Sequence, residues 1–176
     1  MSDCCPSTGL LSVDAALAQL QQVARTVLPK VEDVLLTQAL GRILAQDVVS
    51  GLDVPPQANS AMDGYALHTH AQQADDIYNV SQRIAAGSQP QNLQHGTLAR
   101  IFTGAVIPQG ANAVVMQENC EVLADGRVKV LMWPQEHANI RPQGQDIHQG
   151  DTILQQGQKL TPAALGLLAT IGLDTV

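Results

Sequence analysis

Hydrophobic positions recur at helical spacing in the first part of the chain. Ser12 stands where an N-cap belongs, and Val13, Leu17, Leu20, Ala24 and Val27 share one face until Pro29 ends the run. Residues 1–9 ahead of this helix read as a frayed, disordered tail. Val34 to Leu36 reads as a short strand. Thr37 is placed to cap a second helix with Leu40, Ile43 and Leu44 on its apolar side, and Asp47 to Ser50 reads as extended.

The pattern changes at Gly51. Pro55, Pro56, Asn59 and Gly64 crowd a short segment and predict a loop. Strand-like runs follow: a loose alternation over Ile77 to Ala85, a strand from Leu98 to Phe102 ending at Thr103-Gly104, and a buried apolar run from Ala113 to Met116. Val122-Leu123, then Asp125-Gly126, then Val128, Val130 and Met132 form the clearest hairpin pattern. Gly144, Gly150 and Gly157 punctuate short strands. A last helix has Thr161 as cap, Pro162 at its first position and Gly172 just past its end, with Leu165, Leu168, Ala169 and Ile171 on the apolar face. This layout predicts an α+β fold in two parts. Residues 10–50 and 139–176 form a small discontinuous α+β module, and a β-rich module of residues 51–138 is inserted between its halves.

Composition narrows the function classes. The 176 residues are 45% hydrophobic, enough for one large domain or two small ones. Aromatic residues are only 2%, so aliphatic side chains carry the core and no stacking platform for bases is expected. A net charge of −7 opposes wholesale binding of a nucleic-acid backbone, while nine Lys and Arg leave room for a small anion. No apolar run approaches the roughly 18 residues that span a bilayer. No basic start followed by an apolar stretch marks a secretory signal. The expectation is a cytoplasmic protein without nucleic-acid or membrane partners.

Cys4, Cys5 and Cys120 are odd in number and lack metal-knuckle or redox-pair spacing, so they read as free thiols. His68 and His70 would share a strand face, but no third ligand is placed for a metal. Three polar, glycine-bearing segments remain. Residues 55–66 place Asp63 beside the permissive Gly64, either as plain turn chemistry or as a carboxylate for a hard cation or a proton. Residues 100–105 end a strand in a glycine turn tipped by Thr103, where a hydroxyl and backbone N–H groups could meet an anionic oxygen or simply close a turn. Arg100 brings positive charge near this turn, although the strand period points it away from positions 101 and 103. In residues 139–147, Arg141 and Asp146 either pair with each other or face a phosphate and its metal.

In order, LDVPPQANSAMDGYAL, ARIFTGAVIPQGANAVVMQE and NIRPQGQDIHQGDTIL resemble the N-terminal motifs of the MoeA family of molybdopterin molybdenumtransferases. The E domain of gephyrin and its plant counterpart share this family. ALGRILAQDVVS and LTPAALGLLATIGL fit as well, so the resemblance runs from about residue 10 to 176. It implies a Mg²⁺-dependent enzyme of molybdenum cofactor biosynthesis that inserts molybdate into adenylylated molybdopterin and releases AMP. It also implies an elongated homodimer, with molybdopterin adenylyltransferase as a further partner, and a cleft shared between two subunits. By motif match Asp63, Thr103 and Asp146 are its expected catalytic positions, with Asp63 and Asp146 as metal ligands. Asn59, Ser60 and Arg141 are its expected cofactor-binding positions. Family members continue into an α/β domain and a small β-barrel. The chain is therefore expected to be a cut piece of a longer protein, inactive alone. The alternative is a dimerisation or partner-binding module of the same family without chemistry of its own.

Overall fold

Ser12 starts the first helix as its spacing predicts. Its hydroxyl accepts from the Ala15 N–H at 3.2 Å, and the helix, α1, spans Val13–Thr26. Asp14 in the first turn and Arg25 in the last both suit the helix dipole. The apolar stripe is present, yet no residue of α1 is buried. The computed structural model describes residues 11–27, 29–72 and 76–176, so the expected tail at 1–9 lies outside the described residues. The chain divides into two compact units, one ending at Val34 and one running from Leu35 to Val176.

The second unit corrects two expectations at its start. Leu35 forms only an isolated bridge to Thr175, and Leu36–Gln38 is a single 3-10 turn in place of the helix expected from Thr37. The backbone donors go to a distant stretch of chain instead of up a helix. Gly41 N–H reaches Leu160 O at 2.8 Å and Leu44 N–H reaches Gln158 O at 2.9 Å. Gly41 takes φ +79°, which a helix does not allow. Ala39 and Leu44 are buried, while Leu40 and Ile43 are exposed.

The strands are β1 (Val48–Val49), β2 (Asn59–Ser60), β3 (Gly64–Leu67), β4 (Ile77–Ile84), β5 (Thr97–Ile101) and β6 (Ala113–Met116). They continue as β7 (Cys120–Val122), β8 (Val128–Val130), β9 (Ile140–Arg141) and β10 (Thr152–Leu154). They form three sheets: β1 with β10, β2 with β9, and a six-stranded sheet in the order β6-β3-β5-β4-β8-β7. All pairings are antiparallel except β4 with β5. The six-stranded sheet is buried on both faces at its centre. Tyr65, Leu67, Tyr78, Leu98, Val115 and Val128 pack on one side, and Ala66, Ile84, Ala99, Ile101 and Val114 on the other. The alternation along β3 and β5 divides neighbouring residues between these two layers.

Residues 35–54 lie beside residues 147–175 through β1–β10 and the bridges Leu35–Thr175, Ile43–Lys159 and Val54–Ile147. The last helix, α2, spans Pro162–Thr170. Thr161 caps it, accepting from the Ala164 N–H at 3.2 Å. Its buried positions are Ala164 and Leu168, with Ile171 just beyond, whereas the predicted Ala169 faces solvent. The fold is α+β, as the patterning predicts. No helix among the described residues is long and apolar enough to cross a membrane.

Candidate functional site at the Asp63–Thr103 turn pair

Two turns meet where β3 begins and β5 ends, at one end of these interior strands of the six-stranded sheet. The first follows β2. Ser60 is fully buried, and its hydroxyl donates to Met62 O at 2.6 Å and accepts from the Met62 N–H at 3.3 Å. This local bridge bends the chain into the 61–63 turn. Gly64 opens β3 at a place where no side chain fits: a Cβ would lie 1.9 Å from Val115 O. The second turn follows β5. Gly104 takes φ +79° and donates its N–H to Ser60 O at 2.8 Å, which ties the two turns together.

The β3–β5 register pairs Gly64 with Ile101, so Asp63 and Thr103 leave the sheet side by side. The Thr103 N–H and hydroxyl both donate to Asp63 Oδ1, each at 2.8 Å. Those two bonds, aided by the nearby charge of Arg100, hold the Asp63 carboxyl below the usual aspartate range. Thr103 is exposed and Asp63 half-buried, so the pair faces solvent.

Arg100 supplies charge here despite its strand position. It stands opposite Tyr65, and its guanidinium donates to Gly64 O at 3.1 Å and to Gln117 Oε1 at 2.6 Å. It also lies 4.7 Å from the centroid of the Phe102 ring. Arg83 covers the same ring at 4.5 Å, a neighbour that the sequence reading did not single out. Nothing in the local spacing announces it, because the link runs through the parallel pairing of β4 with β5.

The other predicted site residues are distributed less evenly. Asn59 and Arg141 stand opposite each other where β2 pairs with β9. Asn59 Nδ2 donates to Gln57 O at 3.4 Å, while its Oδ1 is buried without a hydrogen-bond partner. Ser60 does not reach the surface, and its hydroxyl is engaged in the turn, so it shapes the site from beneath. Asp146 is exposed on a turn folded against Val54-Pro55, with its N–H donating to Val54 O at 2.8 Å. No ion pair joins it to Arg141, and no bond links it to Asp63 or Thr103, among the described residues.

No group of three or more His, Cys, Asp or Glu among the described residues is placed to hold a metal. Mg²⁺ prefers about six oxygen ligands, commonly one or two carboxylates with waters and phosphate oxygens. Asp63 is a single carboxylate with one oxygen already accepting two hydrogen bonds. The described residues therefore do not fit a protein-built Mg²⁺ cage. His68 and His70 stack edge-on at 5.4 Å, with His68 Nδ1 accepting from the His70 N–H. A depression of about 420 Å³ beside α2 and β10 is lined by none of the predicted site residues.

One carboxylate that sequence reasoning missed organises the third motif. Asp53 Oδ1 accepts from the Gln149 N–H at 2.9 Å, and Oδ2 accepts from Gln143 Nε2 at 2.7 Å. These bonds hold its carboxyl below the usual range. They also dock the 142–151 loop onto the first motif. A Cβ at Gly144 would sit 2.5 Å from His148 Nδ1 and 3.3 Å from Asp53 Oδ1, so that loop closes tightly around glycine. A lone aspartate before two prolines gave no hint of partners some ninety positions away.

The geometry meets a family at this point: residues 11–172 match the MoeA N-terminal region (domain I and II). The chain belongs to this family. As a MoeA N-terminal region it is 41% identical over 142 residues to the molybdopterin molybdenumtransferase of Haemophilus influenzae, covering 80% of this chain and 35% of that protein. It is 35% identical over 171 residues to the molybdopterin molybdenumtransferase of Synechococcus elongatus, covering 93% of this chain and 42% of that protein. The chain thus spans less than half the length of these curated relatives. The crystal structure of a molybdopterin biosynthesis MoeA protein from Pyrococcus horikosii superposes with a TM-score of 0.82 at 28% identity, covering 91% of this chain and 43% of that one.

Proposed function

We propose that the chain is the N-terminal wall of a molybdopterin molybdenumtransferase, which inserts molybdate into adenylylated molybdopterin and releases AMP. The observation that carries this reading is the solvent-facing Asp63–Thr103 pair, set by two turns in a chain whose relatives bear that name. Its chemistry follows from the geometry. The low carboxyl pKa keeps Asp63 ionised at neutral pH. Both Thr103 bonds land on Oδ1, so Oδ2 is the oxygen that orients a water or takes its proton as the phosphoanhydride is cleaved. Thr103 locks the carboxylate orientation, which is what positioning requires. Arg141 and Asn59 extend the wall along β2–β9, and Asp146 adds a carboxylate from the docked 142–147 turn. Mg²⁺ belongs to this proposal as an ion whose remaining ligands come from substrate and from other parts of the site.

The proposal includes the modular division of the chain. The pairing of residues 35–54 with 147–175 supports a discontinuous module of 10–50 plus 139–176, for the part beginning at Leu35, with 51–138 inserted. A one-walled site lacks donors on the far side of the phosphate. The chain alone is expected to release AMP no faster than a no-protein control. In a full-length family protein carrying this segment, Asp63→Ala is expected to slow AMP release and molybdenum insertion by at least roughly 10²-fold. An unchanged rate would remove Asp63 from the chemistry.

A second reading, a dimerisation or partner-binding module, is favoured by α1. Val13, Leu17, Leu20 and Val23 are all more than half exposed on one helix. Sedimentation of the chain against a Leu17→Glu, Leu20→Glu variant tests it: identical monomeric behaviour of both would reject self-association through α1.

A further inference from the structure

Arg83 and Arg100 occupy directly paired positions on the parallel strands β4 and β5. Both guanidiniums lie over one ring, Phe102, at 4.5 and 4.7 Å from its centroid. Like charges at paired strand positions cost stability. No carboxylate forms an ion pair with either arginine among the described residues. Arg100 has its donors engaged with Gly64 O and Gln117 Oε1. The Arg83 side chain makes no hydrogen bond among the described residues, is exposed, and lies against the Phe102 ring. The Phe102 N–H donates to Ile84 O at 3.2 Å, so the ring is anchored between the end of β4 and Thr103. A guanidinium stacked on a fixed ring with its fork free is preorganised for a bidentate oxyanion. The Asp63 charge and two hydrogen bonds offset that cost for Arg100, whereas the exposed Arg83 fork is left for a partner outside this chain.

We propose that Arg83 is an anion contact of the Asp63–Thr103 site, held over Phe102 to take a phosphate group. That the phosphate belongs to an adenylylated pterin rests on the function proposed above; the phosphate recognition itself does not. The anion neutralises the charge that Arg83 adds beside Arg100.

The test uses the 176-residue chain and inorganic pyrophosphate as probe, followed by amide and arginine Nε–H NMR shifts. Saturable shifts are expected at Arg83 Nε–H and at the Phe102, Thr103 and Gly104 amides. Arg83→Gln is expected to raise Kd roughly tenfold or more, the scale of a charge-assisted hydrogen bond. Arg83→Lys, which keeps the charge and loses the fork, should fall between. Arg127→Gln should bind like the parent, because Arg127 is already paired with Asp125 at 2.8 Å. Equal affinity in Arg83→Gln, or shifts that map to other arginines, would overturn the proposal. The two readings fail separately. Loss of pyrophosphate binding in Arg83→Gln alongside unimpaired molybdenum insertion in Asp63→Ala would sink the enzymatic reading alone. The converse pattern would sink only this one.

Discussion

Gly64→Ala is the sharpest perturbation of the site's foundation. The added Cβ would lie 1.9 Å from Val115 O, 2.9 Å from Val115 C and 3.1 Å from Met116 Cα, all backbone atoms of the paired strand β6. Relief requires β3 and β6 to part by at least about 1 Å, which carries a ladder hydrogen bond beyond useful length. One or two such bonds contribute roughly 1 kcal/mol each. Repacking around the buried Val115 adds about 1–3 kcal/mol. The expected loss is thus about 2–5 kcal/mol, a large share of the roughly 5–15 kcal/mol that holds a typical domain. For a chain of this size that lowers Tm by on the order of 10 °C. The assay is calorimetry with a urea melt, and Gly166→Ala is the control. Gly166 lies inside α2 with nothing within 4 Å of its would-be Cβ, so the same chemical change there should stabilise by up to about 1 kcal/mol. A Gly64→Ala protein melting within about 2 °C of the parent would refute the clash argument.

Three further outcomes follow from the same structure. Asp63 should titrate below the ordinary 3.8, and Thr103→Ala should raise its midpoint by removing the hydroxyl bond while the backbone bond stays. Because the folded pKa is depressed, its stabilising contribution is complete above the unfolded value and lost as pH falls through the folded one; a Thr103→Ala chain with an unmoved midpoint in carboxyl NMR would contradict this. Ser60→Ala should cost about 1–2 kcal/mol in a urea melt by unmaking the buried turn bridge to Met62, and a loss near zero would show that the turn holds itself. Burial pushes the Cys120 thiol up to about 11, so with Cys4 and Cys5 replaced by Ser the native chain should react slowly with a thiol reagent at neutral pH and rapidly in denaturant; equal rates would show an open thiol.

The sequence alone determined the elements whose signals are local. Ser12 and Thr161 cap the two helices because an N-cap needs only a side chain and an N–H three residues on. The 120–130 hairpin needed only Asp125-Gly126 between alternating residues. The three polar motifs drew attention to Asp63 and Thr103 before any contact between them was known. Long-range pairing decided the rest. Residues 37–44 carry a helical pattern, yet Gly41 and Leu44 give their N–H groups to Leu160 and Gln158, and this nonlocal ladder displaces the helix. The forty-residue gap between Asp63 and Thr103 closes only through the β3–β5 register. Arg83 meets Phe102 only through the parallel β4–β5 pairing, and Asp53 finds Gln143 and Gln149 only once the last motif folds back. A side chain's residue type sets what it can donate or accept, but strand register and chain return set which partner it meets. In a fold held by nonlocal β pairing, that second part is invisible to spacing along the chain.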